Sequence, residues 1–259
     1  MEIKKLLMIP DRKDIDSSLA IAKSYNCGFE YNDFFIPNIL DNQEKLEEII
    51  SLYEKKVDLP DYCTFHGAFL DVTIFSDDSR IYAASDYRVE QSIAIARRLG
   101  AKAIVFHTNY VSNFKQKAYR DSWVDKNVTY WTEKLNKYPD IIIYIENMFD
   151  DGWELVLALG ERMKDVERFG ICLDYAHACV FGDEHKINDW CEKLGPYIKH
   201  VHINDNDFTC DSHDALGTGK IDWEGFKNNY CMYFPDASVL IEMNGLEKIK
   251  GSLEFIKAL

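Results

Sequence analysis

No apolar run in the 259 residues approaches the roughly 20 that a membrane span needs. The longest resemble Ile141-Ile142-Ile143-Tyr144-Ile145. The N-terminal stretch Met1 to Pro10 has neither an adequate apolar core nor a small-residue cleavage site, so no secretory leader is expected. There is no Pro/Ser/Gly-rich linker, no low-complexity tract and no evident repeat, and we therefore expect one domain over residues 1–259. Basic residues are in deficit, 30 against 44 acidic, for a formal charge of −14. Nucleic-acid affinity rests largely on Lys and Arg neutralising phosphates, so this balance argues against a nonspecific polyanion binder. Cysteine pairing is also unsupported. The seven cysteines, Cys27, Cys63, Cys172, Cys179, Cys191, Cys210 and Cys231, are odd in number and contain no Cys-x-x-Cys. We expect free thiols, mostly buried as small hydrophobes, in a reducing cytoplasm.

What is present is ample core. Apolar residues make up 47% of the chain and charged residues 29%, which excludes global disorder. Short apolar runs alternate with longer helical patterns. The expected strands are Lys4–Ile9, Cys27–Tyr31, Tyr62–Phe65, Ala103–His107, Ile141–Glu146, Gly170–Asp174, Ile198–Ile203 and Ser238–Glu242. The expected helices lie near 15–25, 42–55, 79–99, 116–137, 152–166, 187–195, 222–230 and 246–258. Asp41 or Asn42 is expected to cap the second helix and Asp151 the fifth, and Tyr138-Pro139 to stop the fourth. Several strands lack polar alternation, as parallel strands buried on both faces do. Eight strand–helix units of about 32 residues close most simply into a (β/α)8 barrel. An open doubly wound sheet would want a glycine-rich first turn, and this one reads Pro10-Asp11-Arg12-Lys13.

The polar residues fall at strand ends. Strand three ends Phe65-His66, strand four Phe106-His107, strand five Ile145-Glu146, strand six Leu173-Asp174, strand seven Val201-His202 and strand eight Ile241-Glu242. In a parallel barrel these ends share one rim, where barrel enzymes place their chemistry. Carboxylates crowded at a rim repel one another, and a divalent cation relieves that cost. His with Asp or Glu suits Zn²⁺ or Mn²⁺. The loops add His177 in Asp174-Tyr175-Ala176-His177, then Asp211 and His213 in Cys210-Asp211-Ser212-His213. His200, on the same strand face as His202, is expected to be a hydrogen-bonded core residue, and His185 to be solvated. Phe69, Tyr110 and Trp223 are candidates to cover the apolar face of a substrate, set against simple packing.

On these stretches the sequence resembles the xylose-isomerase-like barrel superfamily, which joins sugar isomerases and epimerases with endonuclease-IV-type enzymes. The stretches are Phe65-His66-Gly67-Ala68, Val105-Phe106-His107, Ile145-Glu146-Asn147, Gly170 to His177, His200 to Asp205, Asp211-Ser212-His213, Leu216 to Trp223, and Leu240-Ile241-Glu242. The resemblance implies a TIM barrel with a metal site of Glu146, Asp174, His202 and Glu242. Its nuclease branch implies further ligands at His66, His107, His177, Asp211 and His213, holding three zinc ions. Zn or Mn is expected, with Mg and Co as alternatives. The first turn lacks the small-residue character of the nuclease branch. No Lys or Arg lies between Lys199 and Lys220, where Asp205, Asp207, Asp211 and Asp214 crowd a loop expected to repel DNA.

The expected activity is metal-dependent isomerisation or epimerisation of a small sugar or related polyhydroxy carbonyl compound, through an enediolate. Glu146 and Glu242 would exchange the proton, and His177 would orient substrate oxygens. The alternatives are an endonuclease-IV-like trinuclear zinc phosphodiesterase and a non-catalytic metabolite-binding barrel. A nucleic-acid partner is not expected, nor is a membrane one, and the sequence does not set the oligomeric state.

Overall fold

A computed structural model describes residues 2–56 and 58–259. Met1, where the stretch read for a leader begins, and Val57 lie outside them. Eight parallel strands close into one barrel in sequence order, β1 bonding to both β2 and β8. The strands are β1 Leu6–Met8, β2 Cys27–Tyr31, β3 Cys63–His66, β4 Ala103–His107, β5 Ile142–Glu146, β6 Phe169–Asp174, β7 Ile198–Ile203 and β8 Ser238–Ile241. The helices are α1 Ile15–Tyr25, α2 Pro37–Leu40, α3 Gln43–Glu54, α4 Ser79–Arg98, α5 Lys117–Lys137, α6 Glu154–Met163, α7 Tyr175–His177, α8 Ile187–Leu194, α9 Trp223–Tyr233 and α10 Leu246–Ala258. Among the described residues, no helix is long and apolar enough to cross a membrane.

Local chemistry sets the helix ends. Asp14 accepts from Ser17 N at the start of α1, Asn42 from Lys45 N at α3, and Asp78 from Arg80 N at α4, each satisfying a donor the helix cannot. Asn26 ends α1 in the left-handed region at φ 55°. Pro139 follows α5 and keeps Tyr138 out of helical geometry. Asp151 does not cap the next helix. α6 starts at Glu154 without a side-chain cap, and Asp151 instead pairs with Lys115 across the loops.

Successive strand residues face opposite sides. One side joins the helices in the main core. The other fills the barrel, where Ala103, Val105, Tyr144 and Cys172 make one apolar cluster and Leu7, Ile9 and Leu240 another. The inward positions of β4, β5, β6 and β8 thus read 103-105-107, 142-144-146, 170-172-174 and 238-240-242. Each ends on a polar residue, with Val105, Tyr144, Cys172 or Leu240 directly beneath it. β7 reaches the same arrangement through an irregularity: Ile171 pairs with Ile198 but Cys172 with His200, so exposed Lys199 is skipped and His200 and His202 turn inward.

Candidate metal centre

The barrel brings together all nine polar residues singled out in the sequence, in three groups, two of which share Glu146. Glu146, Asp174, His202 and Glu242 each offer an atom within 4.8 Å of the others. His66 and His107 form a second group with the same Glu146, and His177, Asp211 and His213 form a third. His202 Nδ1 lies 3.3 Å from both Glu146 Oε2 and Glu242 Oε2. His107 Nε2 lies 3.2 Å from Glu146 Oε2 and 3.1 Å from His66 Nε2. His177 Nε2 and His213 Nε2 lie 3.3 and 3.1 Å from Asp211 Oδ2.

Backbone carbonyls orient three of these rings. Nδ1 faces Gly67 O at 3.0 Å in His66, Asn147 O at 3.1 Å in His177 and Glu242 O at 2.8 Å in His213. A carbonyl only accepts, so each Nδ1 carries a proton, and Nε2 is the nitrogen left to offer a lone pair to the cluster once the ring is neutral. Metal-bound histidines commonly use this outer contact. Asp174 is held by Asn147, whose amide accepts from Asp174 N and donates to Asp174 O, both at 2.9 Å. Asp174 Oδ1 caps α7 by accepting from His177 N at 2.6 Å, which fixes the His-bearing turn to β6.

Many facing atoms have no hydrogen-bond partner. They include both Glu146 oxygens, Asp174 Oδ2, Glu242 Oε2, His202 Nδ1 and Asp211 Oδ1. Buried polar atoms are rarely orphaned. Protons carry part of the load. Burial, together with Glu242 and Glu146, pushes the Asp174 carboxyl up to about 8 against the pull of His177. Burial opposes ionisation of Glu242 too, but His202 and His213 hold it at about 2. Glu146 is likewise held well below its usual range, against burial, by His202 and His107. Burial works against the His213 cation, yet Asp211 and Glu242 raise the ring to about 10. Carboxylate and imidazole donors, orphaned and aimed at one another, fit a divalent cation. The first group, three carboxylates and one imidazole, suits Mn²⁺ or Zn²⁺, and the two-histidine groups suit Zn²⁺.

Above this centre lies a hollow of about 380 Å³. Its lining includes His66, His107, His177, Asp211, His213 and Glu242, with the apolar Ile9, Phe35, Phe69, Met148 and Met243 and the polar Asn32, Ser212 and Asn244. None is Lys or Arg. Arg12 and Lys13 line a separate hollow that shares Ile9, Asn32 and Asn244 with this one.

Phe69 does reach the site, stacked on His107 with centroids 4.4 Å apart. Tyr110 and Trp223 do not line it. Tyr110 packs on Tyr119 and Trp123, and Trp223 is buried with Nε1 donating to Asp205 Oδ2 at 2.9 Å. His185 is solvent-exposed and His200 is fully buried, as expected. All seven cysteines are free, five of them buried, with Cys210 and Cys231 exposed.

The acidic loop differs from its sequence reading. Asp205 is buried, accepting from Gly217 N, Ile221 N and Trp223 Nε1. Asp211 sits between two histidines, and Asp214 accepts from Ser212 Oγ. Much of the loop's negative charge is therefore engaged within the protein. Gly219 permits this fold-back, because a Cβ there would lie 2.3 Å from Asn206 O and Asp205 Oδ1. Two contributors escaped the strand-end pattern. Phe35 comes from the loop after β2. Glu30 is a fully buried carboxylate inside β2, one residue before the strand's end.

A family model described as xylose isomerase-like TIM barrel matches residues 21–259. A protein of Halorhodospira halophila named probable endonuclease 4 is 24% identical over 188 residues, 62% of this chain and 60% of that protein. The chain thus spans somewhat under two thirds of that relative's length. A Thermus thermophilus protein whose crystal was soaked with ZnCl2 aligns with TM-score 0.74 at 21% identity, covering 98% of this chain and 97% of the other. A D-tagatose 3-epimerase-like protein also aligns at TM-score 0.74 and 21% identity, covering 97% and 96%.

Proposed function

The chain belongs to the xylose isomerase-like TIM barrel family, and from that premise we propose that it is a divalent-metal-dependent isomerase or epimerase. Its substrate is a small sugar or related polyhydroxy carbonyl compound, and residues 1–259 act as one domain. The observation that carries this reading is the hollow of about 380 Å³ over the carboxylate-rich centre, lined without Lys or Arg. Its size suits one small molecule, and its mixture of aromatic, amide and hydroxyl groups suits a polyol.

Glu146, Asp174, His202 and Glu242 would hold the cation, which when bound polarises a carbonyl and stabilises charge developing on its oxygen. Glu146 and Glu242 are both held ionised, so each is a base on its own side of the rim. A carboxylate that takes the proton from carbon becomes the acid that returns it. Return to the adjacent carbon, with the hydroxyl proton passing from one substrate oxygen to the other, isomerises; delivery to the opposite face by the other carboxyl, which takes a proton from solvent while the first gives its own up, epimerises. His177 would orient a substrate hydroxyl through Nε2. Phe35 and Phe69 cover an apolar face.

The grouping of all nine ligands into three clusters favours a second reading, a trinuclear zinc phosphodiesterase. One divalent cation among Glu146, Asp174 and Glu242 leaves a net negative charge, suited to a neutral sugar. Three cations among those residues and Asp211 leave a net positive charge, suited to a phosphate. Metal content per chain, measured by elemental mass spectrometry on protein purified without chelator or nickel, separates them. About one Mn or Zn per chain supports the isomerase, to be followed by a ketose and aldose panel. About three Zn per chain, with nicking of abasic-site DNA, replaces it with the phosphodiesterase. Metal binding without turnover of either substrate class leaves a metabolite-binding barrel.

A further inference from the structure

Glu30 stands apart from the nine rim residues, buried below them in the barrel. Thr64 Oγ1 donates to its Oε2 at 2.7 Å, and His200 Nε2 lies 3.1 Å from the same oxygen. His200 Nδ1 meets Ser238 Oγ at 2.7 Å. If that hydroxyl gives its proton to Nδ1, His200 presents Nε2–H to Glu30, so Oε2 has two donors. Oε1 has none. It faces His202 Nε2 at 3.2 Å, without the alignment of a formed hydrogen bond, and neither atom has another partner. A small turn of the ring satisfies both. On its other side, His202 directs Nδ1 at Glu146 and Glu242.

The other oriented rings meet backbone carbonyls through Nδ1 and offer Nε2 to the rim. His202 is reversed. Its outer nitrogen has no hydrogen-bond partner in place; a carboxylate oxygen from β2 lies 3.2 Å away, and the Cys172 thiol belongs to the same buried group. We infer that Glu30 is the positioning residue of the centre, holding the proton of His202 on Nε2 so that Nδ1 faces the cation as a lone pair. The inference rests on the metal-centre reading above, but not on which reaction the centre performs.

The test uses the full-length protein and two variants. In the metal-free wild type, taken to a pH at which His202 has lost one of its two protons, long-range ¹H–¹⁵N NMR is expected to show the remaining proton on Nε2. An unprotonated Nε2 overturns the inference even if no metal binds, so it fails separately from the metal reading. In zinc-loaded protein the metal is expected on Nδ1, and coordination through Nε2 overturns it. Glu30→Met removes the acceptor and is expected to weaken zinc binding about 10–100-fold in a chelator competition. Glu30→Gln is expected to recover most of that loss. Its amide oxygen can accept from His202 while its NH₂ faces His200, which then donates to Ser238. Equal zinc affinity in wild type and a folded Glu30→Met refutes the role. If Glu30→Met does not fold, the wild-type spectra decide.

Discussion

Metal loading of this centre must expel protons. Asp174 carries a carboxyl raised to about 8 by burial and by Glu242 and Glu146. At pH 7 such a group is about nine-tenths protonated. His202 is also held protonated: burial opposes its charge, but Cys172, Glu146 and Glu242 raise it well above its usual value. A cation can use Asp174 Oδ2 and His202 Nδ1 only as they lose those protons. We therefore expect between about one and two protons released per cation at pH 7. Apparent affinity should rise at least tenfold per pH unit from pH 6 to 7. Above pH 8, where Asp174 ionises unaided, the slope should fall to that of the one proton His202 still releases. Isothermal titration with Zn²⁺ or Mn²⁺ in buffers of unequal ionisation enthalpy gives the count directly. Asp174→Asn should bind more weakly and release about one proton fewer. Affinity independent of pH between 6 and 8, with no buffer-dependent heat, refutes the reasoning and removes these residues as the ligand set.

Three further outcomes follow from specific contacts. Glu146→Gln, tested in metal-loaded protein, should lower carbon-proton transfer by about 10²–10⁴-fold, and full activity would sink its role as a base. Asp205→Ala strands Gly217 N, Ile221 N and Trp223 Nε1. It should cost about 2–4 kcal/mol, lowering the melting temperature by roughly 5–15 °C, and a shift within a degree would show the turn stands without it. Asp150, raised to about 6 mainly by burial, binds its proton more tightly folded than unfolded. Its contribution is present below about pH 4 and lost as pH rises through 6, so Asp150→Asn should stabilise at pH 7–8 by about 1–3 kcal/mol and do nothing at pH 4. Equal urea midpoints for the two proteins at pH 7.5 would contradict this.

The barrel and its rim were legible because one device repeats: an apolar run ending in His, Asp or Glu. In a closed parallel barrel that device is sufficient, since every strand delivers its C-terminal end to the same face. Glu30 was not legible. It lies within its strand, and only barrel closure brings β2 within reach of β7 across the interior to reveal its contact with His202. Asp205 looked like one more rim charge, because sequence does not show a side chain turned back onto the amides of its own loop. The aromatics divided for a similar reason. Phe69 follows directly on β3 and stays at the mouth, whereas Trp223 starts α9 and is drawn into the core by Asp205 and Phe226. Asp151 was placed one turn too close to α6, where the loop uses it to meet Lys115 instead.

The central claim is that this centre moves a proton at carbon beside a carbonyl. Its most direct test is solvent deuterium incorporation. Protein loaded with Mn²⁺ or Zn²⁺ is incubated in D₂O with a panel of ketoses, aldoses and their phosphates, and the sugars are read by proton NMR. The account predicts exchange at the carbon next to the carbonyl of at least one sugar, abolished by chelator and by Glu146→Gln. No exchange with any member of the panel, while the same preparation nicks abasic-site DNA, would contradict it.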